Sequence, residues 1–302
     1  AQTGVSNTSV TMNAASMENS GFEFSATYRN RDHAFKYDIS ANVSTLKNKV
    51  TSLGIGKDSY ITGAYATYVG QEIGQFYGWV YKGIARTQDD LDNNATQQGA
   101  NIGDCLYEDI SGPNGEPDGV IDAYDQTVLG SGLPKVNFGL STHMEYKGFD
   151  LNISTYGVLN YHVSDDIYNS LNSCYGYGNK EVGMLDANRW SEDGSTYLSS
   201  VPRTYVANNA TLAWNDLFSS RKIQNAAYWK IANVELGYNF PDKWFGGYVS
   251  GVRLYVSAQN LYTFTGYHGY NVDYAGGTFT PGYNFCSFPS ARTFMAGLHF
   301  TF

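Results

Sequence analysis

The densest set of oxygen-bearing side chains lies between Asn114 and Asp125. Read as Asn114-Gly115-Glu116-Pro117-Asp118-Gly119-Val120-Ile121-Asp122-Ala123-Tyr124-Asp125, the segment places oxygen groups at its first, third, fifth, ninth and twelfth positions and glycine at its sixth. A calcium loop needs this arrangement, because glycine makes the sharp turn while carboxylates and one carbonyl replace water around a hard cation. The candidate metal ligands are Asn114, Asp118, Asp122 and Asp125 with the carbonyl of Val120. The same residue types also build a rigid acidic turn that holds no ion. Both readings stand at this point, and Ca2+ is the one cofactor the pattern admits.

Other chemistry finds little support. Cys105, Cys174 and Cys286 are too few and too widely spaced for a zinc site or a disulfide framework, although one pair could bridge. The five histidines are scattered without ligand spacing. No nucleophile elbow, zinc-binding helix or phosphate loop occurs, so the chain is expected not to be an enzyme. A net charge of -9 with no Lys/Arg cluster excludes a nucleic-acid surface, which needs concentrated positive charge.

Aromatic residues in long connections are the remaining candidates. They are Phe76, Tyr77, Trp79 and Tyr81 in the first, Tyr175, Tyr177, Trp190, Tyr197 and Trp214 in the second, and Tyr267, Tyr270 and Tyr274 in the third. Flat rings stack on sugar faces or pack against a partner protein, and they also pack loop against loop. Trp79, Tyr81, Trp190, Trp214, Tyr267 and Tyr270 are taken as the substrate or partner contacts.

The elements that must position these residues are strands. Aromatics at 16%, with 26 Tyr, and charged residues at only 16% suit β-structure better than helices. Apolar residues alternate with polar ones in seven segments. Phe294, Ala296, Leu298, Phe300 and Phe302 share one face, with His299 and Thr301 on the other. Val252 to Gln259, Ile231 to Phe240, Phe149 to Asn160, Val136 to Lys147, Phe35 to Ser44 and Phe22 to Arg29 behave alike. In the segment before Pro241, Ala232, Val234, Leu236, Tyr238 and Phe240 are assigned to one face, and Ile231 to the opposite one.

Each segment is long enough to cross a bilayer when tilted. No run of about eighteen apolar residues exists, which removes a membrane helix and leaves a membrane barrel open. Connections alternate between short (30–34, 147–148, 242–251) and long (near 50–134, 163–225 and 265–289). Short periplasmic turns and long extracellular loops are the barrel pattern. Tyr146, Tyr161, Tyr238 and Tyr262 stand where strands reach a membrane-water interface. The competing reading is a secreted β-sandwich or propeller, whose strands alternate as well.

Several phrases resemble the SusC/RagA family of TonB-dependent outer-membrane transporters, in the order found there. They include NSGFEFSATYRN, YDISANVSTLKNKV, VGQEIGQFYGWVYKGI, DGVIDAYDQTVLGSGLPKVNFGLSTHMEYKGFDLNIS, AAYWKIANVELGYNFP, VRLYVSAQNLYTFTGYHGYNVD and the terminal RTFMAGLHFTF. In the acidic turn the chain departs from the family's tighter Asp-x-Asn-Gly-Asp-Gly. Glu116-Pro117 looks inserted, the first Asp is absent and Asp125 stands last instead of Glu.

The resemblance implies an all-β fold, an antiparallel transmembrane barrel of which these are the seven C-terminal strands out of about twenty-two. The plug domain and remaining strands would lie outside this sequence, because an arc with two open edges cannot sit in a bilayer alone. It also implies import of a glycan or peptide across the outer membrane of a Gram-negative bacterium, with a SusD-like lipoprotein lid, the TonB complex and the lipid bilayer as partners. A structural or adhesive barrel, and a soluble carbohydrate-binding β-protein, are the alternatives.

Overall fold

The computed structural model describes residues 15–54, 56–174, 179–182, 189–191, 199–204, 214–245, 249–273, 276–285 and 287–302. Seven of its strands form one antiparallel sheet in sequence order. They are β1 (Glu23–Asn30), β2 (Phe35–Thr45), β3 (Val136–Tyr146), β4 (Phe149–Leu159), β5 (Tyr228–Phe240), β6 (Gly251–Thr265) and β7 (Thr293–Thr301). Sequence neighbours pair throughout, so the three short connections lie at one end of the sheet and the three long ones at the other. β1 and β7 each keep one edge without a partner strand among the described residues.

Directly opposed residues of an antiparallel ladder share a face, which lets each face be followed across the sheet. Tyr37, Met144, Leu151, Leu236, Val256 and Ala296 form one apolar row, and Ile39, Thr142, Ile153, Val234, Ala258 and Phe294 the next. The opposite face carries Asp38, His143, Asn152, Glu235, Ser257 and Met295 in register. Burial is inverted relative to a soluble sheet. Phe294 is 68% and Val256 51% exposed on the apolar face, whereas Asp150 at 5% and Lys230 at 4% are buried on the polar one. A sandwich would do the reverse. This apolar-out, polar-in wall is a piece of transmembrane barrel, with Phe294, Leu298 and Phe300 outward and His299 and Thr301 inward as the alternation predicts.

Aromatic rings gather on the outer face at the short-turn end. Phe35 lies 5.6 Å from Tyr37 and 6.3 Å from Tyr146, Phe149 lies 4.6 Å from Tyr238, and Tyr238 lies 5.0 Å from Phe240. At the other end Trp229 stacks on Phe264 at 5.3 Å, beside Tyr262. Two such belts are what a bilayer's two interfaces select. Tyr161 does not join them. It is buried at 4% exposure under the loops, packed with Val158, Val163 and Tyr228.

One assignment needs correcting. The register slips between Ser154 and Thr155 and again between Ile231 and Asn233, so Ile231 stands opposite Thr155 and Tyr262 on the outer face. An extra residue at a bulge reverses the parity of everything beyond it. Trp229 therefore also faces out, while Tyr228 and Lys230 face in. On the inner face, Tyr255 is flanked in its row by Gly237 and Gly297. A Cβ at Gly297 would come within 2.5 Å of the Tyr255 ring, so the glycine makes room for it.

The long connections are themselves structured. The first contains a four-stranded sheet of Ser59–Thr62, Tyr65–Tyr68, Gln75–Gly78 and Thr127–Ser131. Strand Lys47–Ser52 continues beyond β2 and pairs with Ser16–Ser20.

Candidate functional site

Two surfaces could meet a solute, the polar inner wall and the cap built by the long connections. At the short-turn end the wall carries a connected charge network. The guanidinium of Arg253 donates to Asp150 at 2.9 Å and to Glu235 at 2.7 Å, and Asn239 donates to Asp150 at 2.9 Å. His143 is held between Asn152 at 2.6 Å and Glu145 at 2.8 Å, and Lys36 approaches Glu145 at 3.5 Å. Every one of these residues sits at an inward position. Charge on that face is tolerated because a barrel lumen is wet.

The cap joins the first and second connections through backbone and side chain. Trp79 and Phe218 are bonded at 3.2 Å through the Trp79 N–H, and the Ser220 N–H returns to the Trp79 carbonyl at 3.1 Å. Arg203 donates twice to Asp104, at 2.7 and 2.8 Å, and Asn215 donates to the same carboxylate at 2.8 Å. Beneath them Cys105, Tyr107, Ile121 and Trp214 form a buried cluster with Trp79, Tyr81 and Leu217 against it. The Tyr107 hydroxyl donates to the Trp214 carbonyl. Burial holds Tyr107 neutral well above the usual tyrosine range, and pushes the thiols of Cys105 to about 12 and Cys174 to about 11. Both are free thiols.

The predicted contacts therefore divide. Trp214 at 4%, Trp190 at 8% and Tyr267 at 6% exposure are buried, and Trp79 and Tyr81 are half-buried. The indole N–H of Trp79 goes to the Asp122 carbonyl at 2.9 Å, and that of Trp214 to the Gln98 carbonyl at 3.1 Å. Only Tyr270, at 64%, presents its ring to solvent. Tyr175, Tyr177, Tyr197, Tyr274 and Cys286 lie outside the described residues.

In the acidic turn, the carboxylate of Asp125 is fully buried and accepts the N–H groups of Ile110 at 2.9 Å, Ser111 at 3.2 Å and Asp122 at 2.8 Å. Asp122 accepts from the Tyr124 N–H at 2.7 Å, and Asp118 from the Val120 N–H at 3.1 Å. Val120 itself is exposed, as are Asn114 and Asp118. These carboxylates close the turn on its own amides, as caps do. Among the described residues, no group of three or more His, Cys, Asp or Glu side chains is gathered as a metal site.

Sequence reasoning missed the third connection's grip on the wall. Asp273 bonds to Lys230 at 2.6 Å and accepts from the Tyr156 hydroxyl at 3.3 Å. Tyr267, Asp165 and Asn284 form a second buried group, with Asn284 donating to Tyr267 at 2.7 Å and to Asp165 at 3.1 Å. The alternation gave no signal for this, because it places Lys230 on the outward face with Ala232 until the bulge reverses it, and the partner of Lys230 lies 43 residues away.

No protein-family model matches the chain. TonB-dependent receptor P3 of Formosa agariphila is 31% identical over 96% of this chain and 29% of its own length. TonB-dependent receptor SusC of Bacteroides thetaiotaomicron is 25% identical over 98% of this chain and 27% of its own. The RagAB peptide transporter superposes with a TM-score of 0.74 at 21% identity, covering 95% of this chain and 29% of that one. Over nearly its whole length the chain is similar to TonB-dependent receptors, SusC among them, and it shares the fold of RagAB. It spans about three-tenths of the length of the curated relatives it matches. By name these relatives are receptors and a transporter.

Proposed function

We propose that the chain is one arc of an outer-membrane barrel that imports a large nutrient, a glycan or a peptide, using energy delivered by TonB and a SusD-like lipoprotein as its outer lid. The observation that carries this is the wall itself, apolar outside, polar inside, and capped at one end only by its three long connections. A solute excluded from passive pores has to be held outside before it moves. The cap and the inner wall provide a polar surface for that, and Tyr270 supplies an exposed ring suited to stacking.

The open edges of β1 and β7 pair, in this reading, with strands from the rest of a longer polypeptide, because unpaired backbone groups cannot be hydrated in lipid. Trp79, Trp190 and Trp214 then act by shaping the cap. Among the solved structures the chain resembles, RagAB is named a peptide transporter. The substrate here is proposed at the level of class alone.

The experiment is uptake in a strain lacking the full-length receptor, complemented with wild type or with a version that cannot engage TonB. Candidate oligosaccharides and peptides are supplied as sole nutrients, and surface labelling controls for abundance. Growth on one class that needs both the receptor and TonB coupling supports the reading. Growth on every candidate without the receptor defeats it.

A further inference from the structure

The third long connection does not stand away from the barrel. After Thr265 it folds back across the inner wall, where Tyr267 and Val272 pack with Val158 and Tyr228, and Asp273 meets Lys230 and Tyr156. Its return segment is tied as well. Asn271 donates to the Phe288 carbonyl at 3.1 Å, and Asn260 of β6 donates to the Ala291 carbonyl at 2.9 Å. Between this strap and the wall lies a cavity of about 330 Å³, bounded by Lys230, Asn260 and Thr263 on one side and by Tyr270, Asp273 and Arg292 on the other. Lys230 and Thr263 are directly paired inward positions, so the cavity belongs to the lumen.

We propose that this cavity binds a carboxylate group of a short oligomer, with Arg292 holding the carboxylate and the Tyr270 ring covering the adjoining unit. Charge decides the sign. Lys230 and Asp273 neutralise each other at 2.6 Å, which leaves Arg292 as the uncompensated charge on the lining. Arg292 forms no ion pair among the described residues. A guanidinium fork matches a carboxylate through two parallel N–H donors, a fit that a neutral hydroxyl or amide cannot repeat. The volume lies at the lower end of ligand pockets and suits one terminal residue or one sugar ring rather than a long chain. Because Lys230, Asn260 and Asn271 fix both sides, the cavity is ready before a ligand arrives.

This proposal rests on the import reading only for the route by which a ligand arrives, and its test measures binding without transport. The full-length receptor in detergent is titrated calorimetrically with trialanine and trialanine amide, and with trigalacturonate and galactotriose. At least one acid should bind about tenfold or more tightly than its neutral counterpart, a difference of about 1.4 kcal/mol. Arg292→Gln should erase that preference, while Tyr270→Ala should weaken acid and neutral forms alike. Preference for trialanine alone identifies a peptide terminus as the source, and for trigalacturonate alone an acidic sugar. Equal binding of acid and neutral forms, or a preference that survives Arg292→Gln, overturns the proposal. An unchanged affinity in Tyr270→Ala removes the ring from the site. Loss of uptake with binding intact would count against the import reading and leave this one standing.

Discussion

Lys230 on the inner face of β5 reaches 2.6 Å from the carboxylate of Asp273, and its side chain is only 5% exposed. The pair fastens a long connection to the barrel wall. Removing one partner strands the other charge in a poorly hydrated place, which costs about 3–5 kcal/mol. Asp273→Ala should therefore free the strap without unfolding the sheet. Hydrogen exchange in full-length receptor should accelerate across residues 266–273 and stay unchanged in β2 and β3. Replacing both partners, as Lys230→Met with Asp273→Leu, should restore much of the protection. Equal exchange in wild type and Asp273→Ala would show that the apolar packing of Tyr267 and Val272 holds the strap by itself.

The acidic turn gives a second test. Asp125 satisfies three backbone N–H groups from a fully buried position. Asp125→Ala leaves those donors unpaired, at about 1–3 kcal/mol for each buried group left unsatisfied. Limited proteolysis should then cut between residues 108 and 126 at least about tenfold faster, with Asp125→Asn intermediate. If amides rather than a cation hold the turn, a calcium chelator leaves the wild-type rate unchanged. A chelator effect as large as Asp125→Ala would show that the turn is a calcium loop.

How far the sequence could be read is clear from single residues. The alternation of Val252, Leu254, Val256 and Ala258 places β6 without any other information, because one face of a barrel must meet lipid. It fails after Gln259, where Asn260 takes φ of 52° and the register slips. A bulge is set by the pairing of three strands, and no single segment records it. Ile231 was assigned to the wrong face for that reason. Trp214 shows the other limit. A tryptophan in a long connection looks like a contact residue until Asn215, Asp104 and Arg203 are seen to close over its neighbours. Loop packing depends on partners about 100 residues apart and leaves no period to detect. Asp150 and Arg253 were within reach, as the one charge in each of two strands and at inward positions, with Glu235 inward on the strand between them.

The cap's cysteines report on its packing. Burial raises the Cys105 thiol to about 12 and the Cys174 thiol to about 11. A raised thiol pKa suppresses the reactive thiolate until the pH approaches that value, so at pH 8 both thiols stay protonated. In a Cys286→Ser background, iodoacetamide at pH 8 should modify neither residue in folded receptor and both in denatured receptor, as read by mass spectrometry. Trp214→Ala removes a wall of the Cys105 cluster and should make Cys105 reactive first. If Trp214→Ala leaves labelling unchanged and abolishes nutrient binding, the indole is a contact residue and not a packing one.

The wall's orientation can be tested with two substitutions three residues apart. Val256 lies on the outer face between Leu236 and Ala296, and Gln259 on the inner face between Asn233 and Thr293. Arginine at Val256 would push a charge into the hydrocarbon, which costs about 2–4 kcal/mol near the bilayer midplane. Arginine at Gln259 would enter a wet lumen and change stability by no more than about 0.5 kcal/mol. Both variants of the full-length receptor would be unfolded with guanidinium from lipid vesicles, and the midpoint shifts compared. The expected order is a large loss for Val256→Arg and almost none for Gln259→Arg. Repeating the measurement with solubilised receptor should shrink the Val256→Arg penalty, because a detergent belt lets the side chain reach water. Equal penalties for the two variants in vesicles would mean that the apolar face does not meet lipid, and the barrel assignment would fall with it.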